Sequence, residues 1–254
     1  MNFLVTGGSR GLGRQLVLDL VASGHNVAFT YRSDTKAAST VRMETKDLAS
    51  EQEVRAFCLD RCDAAAVDRV TAEIIDVMDT VEVLVNNAAI NRNGLVINLE
   101  DESWNEMLDT NLTGPFLLCR SLLPHFLGAR RGRIVHISSI AMHGAAGQVG
   151  YAASKAGLVG LSGTIAREYG RRGITSNVLA LGLLEGGIAA SDASEDMKTD
   201  WRRLCPAGRE GKFADVSGAV MFLASDGAAF INGQRRLRPR RRWNCGLFAT
   251  GARF

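Results

Sequence analysis

Long apolar runs are absent from this chain of 254 residues: no stretch approaches the length needed to cross a bilayer. Paired cysteines are absent as well. Cys58, Cys62, Cys119, Cys205 and Cys245 are dispersed, odd in number and without a Cys-x-x-Cys, which excludes a disulfide framework and a cysteine-built zinc site. Met1 runs almost directly into an apolar strand and a glycine loop, leaving no room for a signal peptide. There is no internal repeat beyond strand-helix alternation and no interdomain linker. These absences predict one soluble domain in a reducing cytoplasm. A hydrophobic content of 46% with 22% charged residues is ordinary for such a chain and enough for a substantial core.

Acidic residues are missing from one place only. The net charge is +3, but seven arginines and no acid follow Asp226, so the body of the protein is mildly acidic. Residues 235–242 hold six of those arginines and Pro239. Such a run cannot alternate into a buried strand without unpaired buried charge. The expected organisation is a domain over residues 1–234 and an atypical arginine-rich tail over 235–254. One aromatic among the arginines and no recognisable motif argue against nucleic acid as the tail's partner.

The stretch around which the chain is organised is Tyr151-Ala-Ala-Ser-Lys155, at the start of an apolar helix running to about Tyr169. One helical turn separates tyrosine and lysine, so both leave the same face. An ammonium beside a phenol favours the phenolate and moves its pKa down towards neutral pH, which makes Tyr151 a candidate general acid. Alone, the pair is an ordinary amphipathic pattern. Its setting is not: the strand Arg133–Ile137 ends upstream in Ser138-Ser139, and parallel sheets present catalytic groups at strand ends.

At the other end of the chain, Phe3–Thr6 is a strand, Gly7-Gly-Ser-Arg-Gly-Leu-Gly13 a glycine turn, and Arg14–Ala22 a helix. Glycines allow the tight turn and let backbone N–H groups reach a pyrophosphate. The next strand, Asn26–Tyr31, ends in Arg32-Ser33 rather than in the acid that binds both ribose hydroxyls of NAD; with Arg10 in the loop, this points to a 2′-phosphate and so to NADP(H). A helical stretch from Thr35 to about Ser50 leads to a strand at Val54–Cys58. Asp60 follows as a candidate adenine contact, and Asp63 as the N-cap of a helix over Ala64–Met78. Val81–Val85 is a central strand ending in Asn86-Asn87-Ala88-Ala89. A helical region from about Ser103 to Leu127 carries Asn111 inside it, where asparagine needs a reason; solvent exposure is the plain one. Thr175–Leu179 is a further strand. Gly182 to about Lys212 reads as a long irregular connection, and Ala214–Ala224 as a last helix.

Together these residues resemble the short-chain dehydrogenase/reductase family up to about Gln234, in the order Thr6–Gly13, Asp60, Asn86-Asn-Ala-Ala89, Asn111, Ser138-Ser139 and Tyr151-x-x-x-Lys155. Val85-Asn-Asn-Ala, Asn177-Val-Leu-Ala, Pro206-Ala-Gly-Arg209 and Phe222-Leu-Ala-Ser-Asp226 look most like 3-oxoacyl-acyl-carrier-protein reductases and related polyketide ketoreductases. The resemblance implies an α/β fold, a single-domain Rossmann-like doubly wound parallel sheet with helices on both faces. It implies hydride transfer from NADPH to a ketone, as in fatty acid or polyketide biosynthesis, with no metal. Tyr151 would protonate the alkoxide, Lys155 would lower the tyrosine pKa and hold the nicotinamide ribose, a serine would hydrogen-bond the carbonyl, and Asn111 would fix a relay water. Counting back from Tyr151 by the family spacing picks Ser138, whereas strand register picks Ser139. Cofactor contacts carry over onto Gly7, Ser9, Arg10, Gly11, Leu12, Gly13, Arg32, Ser33, Asp60, Arg61, Asn87, Ala88 and Leu184 as well as Tyr151 and Lys155. The resemblance also implies a homotetramer. It implies an acyl carrier protein docking at Arg130 and Arg172, beside which Arg131 and Arg171 complete two basic pairs expected next to the site. A dehydrogenase of free alcohols, sugars or steroids, or a non-catalytic dinucleotide-binding relative, uses the same core. Ala89 replaces the family's glycine, and Leu181-Gly182 its Pro-Gly.

Overall fold

The computed structural model describes residues 1–48, 51–188 and 194–234. Its centre is a sheet of six parallel strands in the order β3-β2-β1-β4-β5-β6: β1 Asn2–Thr6, β2 Asn26–Tyr31, β3 Val54–Cys58, β4 Val83–Asn86, β5 Gly132–Ser139 and β6 Ile174–Leu181. Every pairing is parallel. The inner strands read as continuous apolar runs because both faces are covered. Phe3 and Val5 of β1 point into a core shared with α1 (Gly11–Ala22), α2 (Thr35–Leu48) and the last described α-helix, α8 (Phe213–Ala224). Leu4, between them, points into the opposite core with α3 (Ala64–Met78), α5 (Gly114–Ala129) and α6 (Val149–Tyr169). The doubly wound α/β expectation holds.

Strand order reverses between β1 and β4, which opens a crevice outside their carboxyl ends, where ligands of such sheets sit. Three local features arm it. Gly7 lies at φ +67 with the Ala88 side chain against it, and a Cβ on Gly13 would stand 2.0 Å from the Gly7 carbonyl oxygen, so both positions exclude a side chain. Thr6 accepts from the backbone N–H of Asn87 and of Ala88, each at 3.0 Å, while Asn87 Nδ2 donates to the Thr6 carbonyl at 2.9 Å. This ties the loop after β4 to the end of β1. Asp63 caps α3 by accepting from Ala65 N and Ala66 N, as its position predicts.

Two stretches differ from expectation. The helical region carrying Asn111 is three segments: α4 Asp101–Leu108, a π-helical turn Asp109–Thr113 and then α5. The Gly182–Lys212 stretch is not irregular throughout, since it contains α7, Glu195–Leu204, whose polar side is laced by Lys198–Glu195, Arg202–Glu195 and Arg203–Asp200 pairs. Met197, Trp201 and Leu204 recur at helical spacing in the sequence, but the many small and polar residues around the segment hid the signal. The arginine run over 235–242 lies outside the described residues. Just before it, Gly233 N donates to Ser176 O and Asn232 Oδ1 accepts from Ser176 N, so the chain is fastened alongside β6 as far as Gln234.

Candidate active site

Tyr151 and Lys155 occupy the first turns of α6, which begins at Val149, against the carboxyl end of β5. The two side chains do meet: Lys155 Nζ lies 5.5 Å from the tyrosine ring centroid. Lys155 is 2% exposed and donates to the Ile137 carbonyl at 2.8 Å. Burial, and next the charge of Arg61, push its ammonium down to about 7. Tyr151 moves opposite to the expectation. Burial raises its pKa above the usual phenol value, and the hydrogen bond with Ser139 offsets only part of this. The reason is that the same dry setting that would strengthen a Lys-Tyr attraction disfavours both charged forms, and the lysine is anchored on a backbone carbonyl instead.

The choice between the serines is resolved as geometry. Ser138 is buried and turned away, donating to the Lys155 carbonyl at 3.0 Å. Ser139, the last residue of β5, faces Tyr151 and also accepts from Ala141 N at 3.2 Å. Strand alternation dictates this: neighbours on a strand point to opposite faces, so only one of the pair can reach the tyrosine.

Asn111 is 1% exposed, which overturns solvent exposure as its explanation. In the π-turn its Oδ1 accepts from Ile90 N at 2.9 Å, and its Nδ2 donates to Ile90 O at 2.9 Å and to Ser154 Oγ at 3.2 Å. Ser154 in turn donates to the Tyr151 carbonyl at 2.8 Å. Asn111 therefore links the loop after β4 to the turn of α6 that carries Tyr151.

The expected cofactor contacts line the crevice. Gly7, Ser9, Arg10, Gly11, Leu12 and Gly13 form the turn into α1, and Arg10 at its N-cap makes no side-chain capping bond, leaving the first-turn N–H groups of α1 to a ligand. Arg32 and Ser33 follow β2, fully at the surface. Arg32 pairs with Asp60 at 3.6 Å and approaches Glu106 of α4 at 3.9 Å. Asp60 also accepts from Cys62 N. The Arg61 side chain runs over Gly114, where an added Cβ would meet its Cγ at 2.9 Å, and burial pushes the guanidinium down to about 10. Leu184 closes the far side, bridged to Gly211. The glycine cradle and the open helix N-terminus fit a dinucleotide's pyrophosphate.

Arg130 and Arg172 are not beside this site. Arg130 ends α5 in the left-handed conformation and Arg172 ends the 3-10 turn before β6, so both precede their strands and lie at the sheet's amino-terminal edge. They are neighbours there, since a Cβ on Gly173 would meet the Arg130 carbonyl at 2.2 Å. Arg131 is already paired with Asp226 at 2.7 Å and Glu82 at 3.4 Å. Sequence order hid this, because residues flanking a strand in the chain stand at its opposite ends in space.

Two groups went unread in the sequence. His136 lies fully buried in β5 between Asn86 Nδ2 and Ser176 Oγ, each at 3.3 Å, and burial pushes it down to about 3. Glu106 is the other, reached by Arg32 and, at 3.1 Å, by Arg92. Alternation would have placed His136 inside; no sequence signal marks Glu106.

A family model described as Enoyl-(Acyl carrier protein) reductase matches residues 7–237. The chain is 37% identical over 233 residues to the 3-oxoacyl-[acyl-carrier-protein] reductase FabG of Staphylococcus aureus, covering 91% of this chain and 93% of that protein. It is 38% identical over 240 residues to the FabG of Escherichia coli, covering 92% and 96%. Fold, crevice and similarity agree: the chain belongs to the short-chain dehydrogenase/reductase family and is an oxidoreductase.

Proposed function

We propose that the protein is an NADP(H)-dependent ketoreductase that reduces a 3-oxoacyl thioester, carried by an acyl carrier protein, to the 3-hydroxyacyl product. The observation that carries this reading is the Ser139–Tyr151–Lys155 arrangement at the carboxyl end of β5, facing the crevice. The relatives' activity, over nearly the whole chain, supports the substrate class.

The nicotinamide supplies the hydride that reduces the ketone carbon. The glycine turn and the α1 N-terminus would hold the pyrophosphate, Asp60 and Arg61 the adenine side, Arg32 and Ser33 the 2′-phosphate, and Asn87, Ala88 and Leu184 the nicotinamide end. Ser139 donates to the ketone oxygen. Tyr151, kept protonated at neutral pH by burial, gives its proton to that oxygen as it becomes an alkoxide, which is a far stronger base than phenolate. Lys155 would hold the nicotinamide ribose and, poised near 7, can pass a proton back towards the tyrosine. Both side-chain groups of Asn111 are committed to Ile90 and Ser154, so a relay water would rest on the backbone of the π-turn rather than on that side chain.

The family description names enoyl reduction and the relatives' names ketone reduction, and one assay separates them. The protein is supplied with NADPH and either a 3-oxoacyl or a 2-enoyl thioester, and loss of the reduced nicotinamide is followed. Turnover is expected with the 3-oxoacyl substrate, and Tyr151→Phe should lower kcat by about 10²–10⁴-fold, the share a positioned general acid supplies. Turnover of the enoyl thioester alone would overturn the proposal.

An assembly of four copies is part of the same reading. Leu95, Val96 and Ile97 stand exposed in succession, Ile97 at 88%, and such a patch on a monomer marks a contact surface.

A further inference from the structure

The end of β2 carries a chain of charges that extends beyond the residues assigned to the cofactor. Arg32 sits between two carboxylates, Asp60 at 3.6 Å and Glu106 at 3.9 Å. Glu106 is held from its other side by Arg92, Nη2 to Oε2 at 3.1 Å. Asp60 follows β3, Glu106 lies on α4 and Arg92 lies in the loop after β4, so the chain Asp60–Arg32–Glu106–Arg92 ties together the elements that flank the crevice at its β2 end. All four side chains reach solvent.

We propose that Glu106 is a specificity-determining residue, which competes with the 2′-phosphate of the dinucleotide for Arg32 and so limits how far the protein prefers NADP(H) to NAD(H). This rests on the reading that Arg32 binds that phosphate. A guanidinium offers its donors in one planar fork, and Nη1, 3.9 Å from Glu106 Oε1, is drawn towards that carboxylate and away from the bidentate grip a phosphate would take. The carboxylate also makes the potential at the phosphate position more negative, which opposes a dianion and leaves a neutral ribose hydroxyl unaffected. Arg92 moderates this by sharing the same carboxylate. The competition is graded, because exposed ion pairs are individually weak and are screened by salt.

The test is calorimetric titration of the whole protein with NADPH and with NADH, for the natural chain, Glu106→Gln, Glu106→Asp and Arg32→Ala. Glu106→Gln should tighten NADPH binding about threefold to fivefold, the range open to an exposed ion pair, and leave NADH unchanged. Glu106→Asp should restore most of the natural ratio. The gain should shrink at high salt, where the Debye length falls to about 3 Å. Arg32→Ala separates the two levels of the argument. If it weakens NADPH selectively while Glu106→Gln changes neither cofactor, or both equally, the role of Glu106 is overturned and the 2′-phosphate contact stands. If Arg32→Ala weakens both cofactors alike, the contact fails as well.

Discussion

A histidine inside a parallel sheet is held neutral by its surroundings, and His136 shows how. Its two ring nitrogens meet Asn86 and Ser176, and Ser176 in turn meets Ser162 at 2.9 Å, with no carboxylate among these partners. Lys155 adds a second, smaller depression after burial. With a folded pKa of about 3 against about 6.5 when unfolded, the unfolded chain binds the extra proton, so stability is full above about 6.5 and falls as the pH drops towards 3. At about pH 5 the contribution lost is on the order of 2 kcal/mol. Thermal melts between neutral pH and pH 5 should show a drop in Tm that is markedly smaller in His136→Gln; equal slopes in the two proteins would count against a buried neutral imidazole. The residue scale also shows what could be read without coordinates. Tyr151 and Lys155 were legible as a pair because helical spacing alone decides that they share a face, whereas family spacing and strand register pointed to different serines and only the geometry separates Ser139 from Ser138. The direction of the tyrosine's shift was not, because it depends on how dry the site is, and only packing sets that.

At the scale of elements, the π-turn Asp109–Thr113 does the positioning. Such a turn adds a residue to a helix without ending it and frees the ladder locally, and here Asn111 joins the backbone of Ile90 to the first turn of α6 through Ser154. Asn111→Leu leaves the half-buried N–H and carbonyl of Ile90 without these partners. At about 1–3 kcal/mol for each such group, a protein of this size should melt roughly 5–10 °C lower, and turnover should fall by more than the loss of folded protein accounts for. An unchanged Tm would mean that water replaces the amide and that the link is dispensable. In the sequence, the asparagine inside a helical pattern was a visible anomaly, but its cause was not: the partner backbone lies twenty-one residues away, after another strand. The six strands, by contrast, were legible to within about two residues: the inner strands β1, β2 and β4 write apolar runs because they are buried on both faces.

Over the whole molecule, large apolar groups stand exposed in the Leu95–Ile97 run and at Phe116, Phe222 and Phe230. The prediction at this scale is a solution mass that is a multiple of 27.3 kDa by sedimentation, and a shift to a smaller species in Ile97→Lys with the circular dichroism spectrum retained. A natural protein already monomeric would refute it. A carrier protein docked on Arg130 and Arg172 would stand the length of β5 from Tyr151 in the same chain, about 26 Å at the rise of a parallel strand. Beyond the crevice, the outer edge of β6 has a character of its own. Asn177 grips the backbone of Ile231 and Gln234, and Asn232 grips that of Ile174 and Ser176. A side-chain amide offers one carbonyl and one N–H face, as a peptide unit does, so these two residues lock like the halves of a clasp and impersonate a stretch of strand. Edges left open invite other chains; here two amides, together with the backbone bonds of Gly233 and Gln234, occupy the outer edge of β6 between Ile174 and Val178.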